Sequence, residues 1–389
     1  MLPSPAQMAA LRDHCGHARF VWNLAVEQHR HWRPGRKSAP GYLEQRRQLT
    51  IARAEHDWLR AGSQMVQQQA LRDFAQAMAN YFAGTHDRPS WRKVGRDEGF
   101  RVVAVKSGDV RRLSRHVGEV RVPKVGWVRF RWSRALPPEA KSYRVTCDSA
   151  GRWHVAFAAI PEPVVGPGNG QVVGVDRGIA VSAALSTGEL LTAPGLSLAR
   201  KKRLVRLQRR MARARRGSGR RAKLKLAVAR LQARAADARK DWAEKTSTDM
   251  ARRFDVIRVE DLRIASMTRS ARGTVGRPGR NVRAKAGLNR QILRSGWGLL
   301  VRRLEEKAPG RVEKICPAFT SQRCSACGHV DAKSRESQAR FVCTACGFAS
   351  NADVNAARNI AAGHAVTARG GDGVTRPVNR EPQLLASLT

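Results

Sequence analysis

Apolar positions along the chain change period twice, and each change marks a new architecture. Near the start they recur at helical spacing: Leu11, Cys15, Ala18 and Val21 follow a Ser4-Pro5 pair suited to N-cap and first helical position. Gly16 is a candidate break in that helix. A second helix is predicted from 63 to 82, with Leu71, Phe74, Met78 and Phe82 on one face. Most of residues 4–85 should thus be helical, its aromatic and Met side chains serving as core before they serve as base-stacking platforms. Residues 84–99 read as a loop, in which Trp91 beside Arg92 and Lys93 either stacks on a base or fills a gap.

From 100 the period falls to two. Val128, Phe130 and Trp132 alternate with Arg129 and Arg131; Tyr143, Val145 and Cys147 with Arg144 and Thr146; Trp153, Val155 and Phe157 with Arg152 and His154. Asp148-Ser149-Ala150-Gly151 joins the last two runs as a hairpin. Residues 100–160 are therefore expected to form a small antiparallel barrel or sandwich with one apolar and one basic face. A Pro/Gly linker at 161–170 leads to a third architecture: an apolar strand at 171–175 ending in Asp176, a second at 180–185, the turn Ser186-Thr187-Gly188, and Glu189-Leu190. That is the opening meander of an RNase H-like sheet, with an acid at the end of its first strand. A helical hairpin follows over 198–254, turned at Gly217-Ser218-Gly219, with Leu224, Val228, Leu231, Ala235, Ala238 and Trp242 as the stripe of its second arm. A strand at 255–259 ends in Glu260-Asp261, again acids at a strand end, of which strand alternation points only one inward. Residues 263–290, rich in Arg and Gly, read as a mobile basic loop, followed by a helix at 291–307 and a strand at 311–315. Beyond Gly363 periodicity is lost, and the tail is expected to be disordered.

Charge decides the class of partner. Lys and Arg number 73 against 31 Asp and Glu, a formal net charge of +42 on 389 residues. Such an excess implies a polyanion, and nucleic acid is the default. An anionic membrane fits less well, because no apolar run approaches the ~20 residues of a spanning helix and no signal-peptide core is evident. From 200 to 225 there is no acidic residue. Arg200, Lys201, Lys202, Arg203, Arg209, Arg210, Arg213, Arg215, Arg216, Arg220 and Arg221 are thus candidate phosphate contacts, with Trp91, Arg92 and Lys93. A merely soluble basic helix explains so one-sided a run poorly.

Four of the seven cysteines form two Cys-x-x-Cys pairs, Cys324/Cys327 and Cys343/Cys346, at the spacing of a four-thiolate zinc site. Gly328 and Gly347 follow each pair, where a knuckle needs positive φ. Two disulfides are the alternative, disfavoured in a chain with no sign of secretion. Four cysteine ligands leave no open position, so the Zn2+ should be structural and the chemistry elsewhere. Right after the second knuckle an alanine-rich run should start a helix with Asp353 in its first turn, where a carboxylate is also favoured by the helix dipole alone. Asp176, Glu260 and Asp353 thus fall at defined element ends. A metal-dependent nuclease needs such a set, since Mg2+ takes oxygen ligands and two ions ~4 Å apart can activate water and stabilise a leaving oxygen.

This order of strand, strand and helix resembles the RuvC-like nuclease site. Together with Gly174-Val175-Asp176-Arg177-Gly178, Val259-Glu260-Asp261-Leu262, Thr320-Ser321-Gln322, the two knuckles and Asp353-x-Asn355-Ala356-Ala357-x-Asn359-Ile360, the chain resembles the TnpB family of bacterial and archaeal insertion sequences. A weaker likeness covers residues 16–23, 69–74 and 123–126. The resemblance implies an RNA-guided DNA endonuclease: a guide RNA from the mobile element pairs with the target, the protein reads a short target-adjacent motif on double-stranded DNA, and one RuvC site cuts both strands. It implies Mg2+ at Asp176, Glu260 and Asp353, and a cytoplasmic monomer in a prokaryotic cell.

The fold expected is α+β and multidomain. A helical recognition region spans 1–99, a β-barrel wedge domain 100–165, a RuvC-like (RNase H-like) nuclease domain with the basic hairpin 166–319, a four-cysteine zinc-binding insert 320–350, the last RuvC segment 351–365 and a disordered tail 366–389. Family members usually begin with a short basic strand before the first helix, so this wedge is expected to lack an edge strand or the true start to lie upstream. Competing readings are a catalytically silent RNA-guided repressor, which predicts loss of a carboxylate, an unguided RNase H-like nuclease or transposase, and a bare zinc-ribbon protein, which leaves Asp176 and Glu260 unexplained.

Overall fold

The computed structural model describes residues 1–31, 39–96, 98–138 and 140–363. The tail expected to be disordered, and the last two residues of the 351–365 segment, lie outside the described residues. The chain divides into two compact units, Met1–Ile160 with Lys202–Ala233 and Pro161–Lys201 with Arg234–Thr389. Among the described residues no helix is long and apolar enough to cross a membrane.

In the first unit, helices α1 (Pro5–Arg30), α2 (Tyr42–Glu55), α3 (Asp57–Ala61) and α4 (Gln64–Phe82) precede strands β1 (Glu98–Val103), β2 (Val110–Arg112), β3 (Val117–Val122), β4 (Gly126–Arg131), β5 (Ser142–Cys147) and β6 (Trp153–Phe157). Ser4 caps α1 in a capping box with Gln7, as the Ser4-Pro5 pair predicts. Gly16 does not break α1. A Cβ there would meet only the tip of Arg19, at 3.9 Å, and burial of Leu11, Cys15 and Ala18 outweighs the ~1 kcal/mol that a helical glycine costs. Among the described residues the strands form two three-stranded antiparallel sheets, β1-β5-β6 and β2-β3-β4, and no closed barrel. The expectation of a barrel is corrected for a physical reason: alternation fixes which face of a strand is buried, but not which strand it pairs with. One core joins Leu11 and Phe74 of the helices to Val120, Val128, Tyr143 and Val145 of both sheets.

The second unit is built on β7 (Val172–Asp176), β8 (Ala183–Leu185) and β9 (Leu190–Leu191). Then come α5 (Leu198–Arg213), α6 (Gly219–Arg253), β10 (Val256–Glu260), α7 (Ile264–Met267), α8 (Val282–Ser295), α9 (Trp297–Lys307), β11 (Val312–Ile315), β12 (Arg340–Val342), β13 (Ala349–Asn351) and α10 (Ala352–Ala362). Its sheet has the order β11-β10-β7-β8-β9. β7, β10 and β11 run parallel, and β7-β8-β9 is the predicted antiparallel meander. Val173, Val175, Ile257 and Val259 on the sheet pack against Met250 and Phe254 and against Leu300 and Leu304 of α9.

Two sequence expectations fail between 263 and 307. Residues 282–295 are helix α8 rather than loop, since most of them are Ala, Lys, Leu, Gln or Arg, all strong helix formers, and Gly287 alone does not break the run. The single helix expected at 291–307 is two helices, because Gly296 takes φ +81 and ends α8 with a left-handed residue. The hairpin turn at 217–219 is as expected, and the arms α5 and α6 each run from one unit into the other.

Candidate active site

Three elements bring the candidate carboxylates to one place. β7 and β10 pair in parallel up to Val175 and Val259, so Asp176 and Glu260, next on each chain, end strands ~4.8 Å apart. Helix α10 crosses β7 at Gly174, where a Cβ would stand 2.0 Å from the Ala357 carbonyl oxygen and 2.3 Å from the Ala361 nitrogen. Only glycine permits that approach, which carries Asp353, in the first turn of α10, toward the strand ends. Asn351 caps α10 by accepting from the Asp353 and Val354 N–H groups at 3.0 and 3.1 Å.

The electrostatics follow from this crowding. Asp176 is held well above the usual carboxylate range, first by burial and then by the negative charges of Glu260 and Asp353, against the pull of Arg335 and the Arg177 N–H. Burial likewise raises Asp353; Arg335, with Nη2 3.2 Å from Oδ1, opposes it. Asp261, one residue past the end of β10, is exposed, while Glu260 is buried at 8% exposure. Its Oε1 accepts a 2.8 Å hydrogen bond from Thr320 Oγ1, and its main-chain carbonyl accepts from the Arg177 guanidinium. Glu260 and Asp353 thus stand near enough to Asp176 for their charges to add to the effect of burial on it, although among the described residues only the four cysteines have ligand atoms all within 4.8 Å of one another.

The four cysteine sulfurs lie within 4.8 Å of one another. Cys324 and Cys346 Sγ are 3.8 Å apart, and Cys327 and Cys343 Sγ 3.6 Å. A tetrahedral ion with Zn–S bonds of ~2.3 Å needs sulfur separations of ~3.8 Å, whereas a disulfide needs ~2.05 Å, so the set fits an ion. The two knuckles share one geometry. The Gly328 and Gly347 N–H groups donate to the Cys324 and Cys343 carbonyls, each at 3.0 Å, with φ +79 and +73. Asn355 and Asn359 then tie α10 to the first knuckle. The Asn355 Nδ2 donates to the Arg323 carbonyl at 2.8 Å and its Oδ1 accepts from the Ser325 N–H at 2.9 Å, while Asn359 Nδ2 reaches the Thr320 carbonyl at 2.9 Å. The sulfur cluster thereby sets the position of Asp353.

The candidate nucleic-acid contacts divide. Arg200, Lys201, Lys202, Arg203, Arg209, Arg210 and Arg213 are exposed along α5, as are Arg215, Arg216 and Arg220 at its turn. Arg221 is half-buried, and its guanidinium closes the end of α5 on the Met211 and Ala214 carbonyls, at 2.5 and 3.1 Å. Trp91 is 50% exposed and Lys93 is exposed. Arg92 instead turns inward, its Cζ 3.8 Å from the Trp22 ring centre, and burial lowers its pKa to about 10. Sequence reasoning assigned no role to Thr320, Arg177, Asn355 and Asn359, although all four stand in the quoted motifs. Arg335, in a polar loop without periodicity, carried no signal.

Three family models match the chain: "Helix-turn-helix domain" over residues 1–37, "Probable transposase" (OrfB of IS605) over 158–271, and "Cas12f1-like, TNB domain" over 297–360. Asp176 and Glu260 fall in the second match, and Asp353 and the four cysteines in the third. The chain is 36% identical over 401 residues to "Putative RNA-guided DNA endonuclease InsQ" of Escherichia coli (strain K12), covering 100% of this chain and 97% of that one. To "Putative RNA-guided DNA endonuclease" of Streptomyces pristinaespiralis it is 30% identical over 380 residues, covering 96% and 90%. Among solved structures, the cryo-EM structure of the Cas12f1-sgRNA-target DNA complex shares its fold, with a TM-score of 0.50 at 15% identity over 90% of this chain and 81% of that one.

Proposed function

The chain belongs to the TnpB family of RNA-guided DNA endonucleases of insertion elements, and from that premise we propose that it cuts double-stranded DNA beside a short target-adjacent motif, at one RuvC-like site built from Asp176, Glu260 and Asp353. The observation that carries the site is the convergence of these acids from β7, β10 and α10 in a chain where basic residues outnumber acids 73 to 31. The parallel β7-β10-β11 core with its antiparallel β7-β8-β9 meander supports the RNase H-like reading of the unit that carries them.

Asp176 and Glu260 would hold Mg2+ between neighbouring strand ends, with Asp353 closing the set from the helix. Bound there, a pair of such ions supplies an activated water and charge stabilisation for the leaving 3′ oxygen. The residues around them do the positioning. Thr320 orients the Glu260 carboxylate, Arg335 balances Asp353, and Gly174 lets α10 come close enough to complete the set. Cys324, Cys327, Cys343 and Cys346 would hold one structural Zn2+, whose closed coordination leaves it the task of fixing α10. Guide RNA and target DNA are the partners. Base pairing reads the sequence, the helical region serves as recognition lobe, the two three-stranded sheets as wedge, and the exposed cations of α5 as backbone contacts, in a cytoplasmic monomer.

The test is to express the chain with its flanking genomic DNA, purify the complex, sequence the bound RNA and add Mg2+ and DNA matching the RNA's variable end. Discrete RNA with cutting that disappears in Asp176→Ala is the expected result. Bound RNA without cutting would replace this reading with a silent repressor, and cutting without RNA with an unguided nuclease.

A further inference from the structure

Arg177 of the Gly174-Val175-Asp176-Arg177-Gly178 run is buried at 6% exposure, one residue beyond Asp176. A buried guanidinium is costly to desolvate unless something compensates. Here its Nη2 donates to the main-chain carbonyl of Glu260, just where pairing between β7 and β10 has ended at Val175 and Val259. Burial lowers its pKa, while Glu260, Asp176, Asp261 and Glu305 favour its charge. Its Nε has no hydrogen-bond partner among the described residues. The guanidinium lines a cavity of about 190 Å³ behind Glu260, shared with Asp261, Arg302, Glu305 and Lys314. Lys314 is engaged by Glu305 at 2.8 Å, while Arg177 reaches the β10 terminus through the Glu260 carbonyl.

We propose that Arg177 is a positioning residue: it pins the end of β10 from behind through the Glu260 carbonyl, so that Thr320 can hold the Glu260 carboxylate in register with Asp176. The inference rests on the three-carboxylate reading above. Arg177 on the Glu260 carbonyl and Thr320 on its carboxylate thus add to the pairing of β10 with β11, which continues through Glu260 and Ile315. Loss of a partner that orients a metal-binding carboxylate typically costs about 10- to 100-fold in metal affinity or rate.

The experiment compares Arg177→Met, Arg177→Gln and Arg177→Lys with Asp176→Ala, each purified as the RNA-bound complex. Four quantities are read: bound RNA, affinity for target DNA, the single-turnover cutting rate at saturating target, and Mn2+ binding by electron paramagnetic resonance without DNA. Expected for Arg177→Met is unchanged RNA content and target affinity, with the cutting rate and Mn2+ affinity each down at least about 10-fold. Arg177→Gln and Arg177→Lys, which keep an N–H donor, should recover part of both. The inference is overturned if Arg177→Met cuts and binds Mn2+ like the parent while Asp176→Ala is dead. It is equally overturned if all three Arg177 variants lose RNA and target binding together, since that is a folding role. If Asp176→Ala still cuts, the carboxylate reading itself has failed.

Discussion

A carboxyl group pushed toward its protonated form by burial and by two like charges works against folding wherever it must ionise. Asp176 is in that position. Its folded pKa lies above the unfolded value, so its contribution is fully present below the ordinary carboxylate range and is lost as pH rises through the folded value. With Mg2+ omitted, Asp176→Asn should therefore melt higher than the parent at neutral pH, and the two should converge in acid. Each kcal/mol gained is worth about 2–4 °C in a domain of this size. Differential scanning fluorimetry across pH reads this directly, and a lower neutral-pH melting temperature for Asp176→Asn would refute it. At this scale Asp176, Glu260 and Asp353 stand out in the sequence because acids are scarce and each falls at one end of an element. Arg92 and Arg221 looked like nucleic-acid contacts, but a guanidinium can equally well stack on a tryptophan or close a helix, and that choice depends on neighbours distant in sequence, such as Trp22.

Among elements, the decisive contact is that of α10 on β7. Gly174→Ala would drive a methyl into the Ala357 carbonyl and the Ala361 nitrogen, both backbone atoms that cannot rotate aside. Overpacking of this kind typically costs about 1–3 kcal/mol and moves backbone. Here the movement separates Asp353 from Asp176, so cutting should fall at least as far as about 100-fold while bound RNA is retained. Parent-level cutting at the parent melting temperature would show that α10 does not set the site. Elements with strong periodicity, such as α4, β5 and α6, were legible from the chain alone. What failed needed pairing or composition to be weighed differently. The sheets β1-β5-β6 and β2-β3-β4 share a core without closing, and α8 was obscured by its many arginines although most of its residues favour helix.

For the whole molecule, the formal charge of +42 becomes a quantitative expectation about salt. Each phosphate neutralised by a side chain releases condensed counterions, so log affinity falls linearly with log salt, with a slope of about −0.9 per contact on duplex DNA and about −0.7 on single strands. Arg209, Arg210, Arg213 and Arg216 are exposed on α5 and its turn, in a run from 200 to 225 that holds no acid. If all four touch phosphates, replacing them together with Gln should flatten that slope by about 3 while leaving guide-directed sequence preference unchanged. Filter binding of the RNA, and separately of target DNA to the RNA-bound complex, from low to moderate salt, assigns the run to one polyanion or the other. A slope unaltered for both would mean that these arginines only solvate the helix. The large positive charge would then have to act through other surfaces, among them the exposed arginines Arg129 and Arg131 of β4.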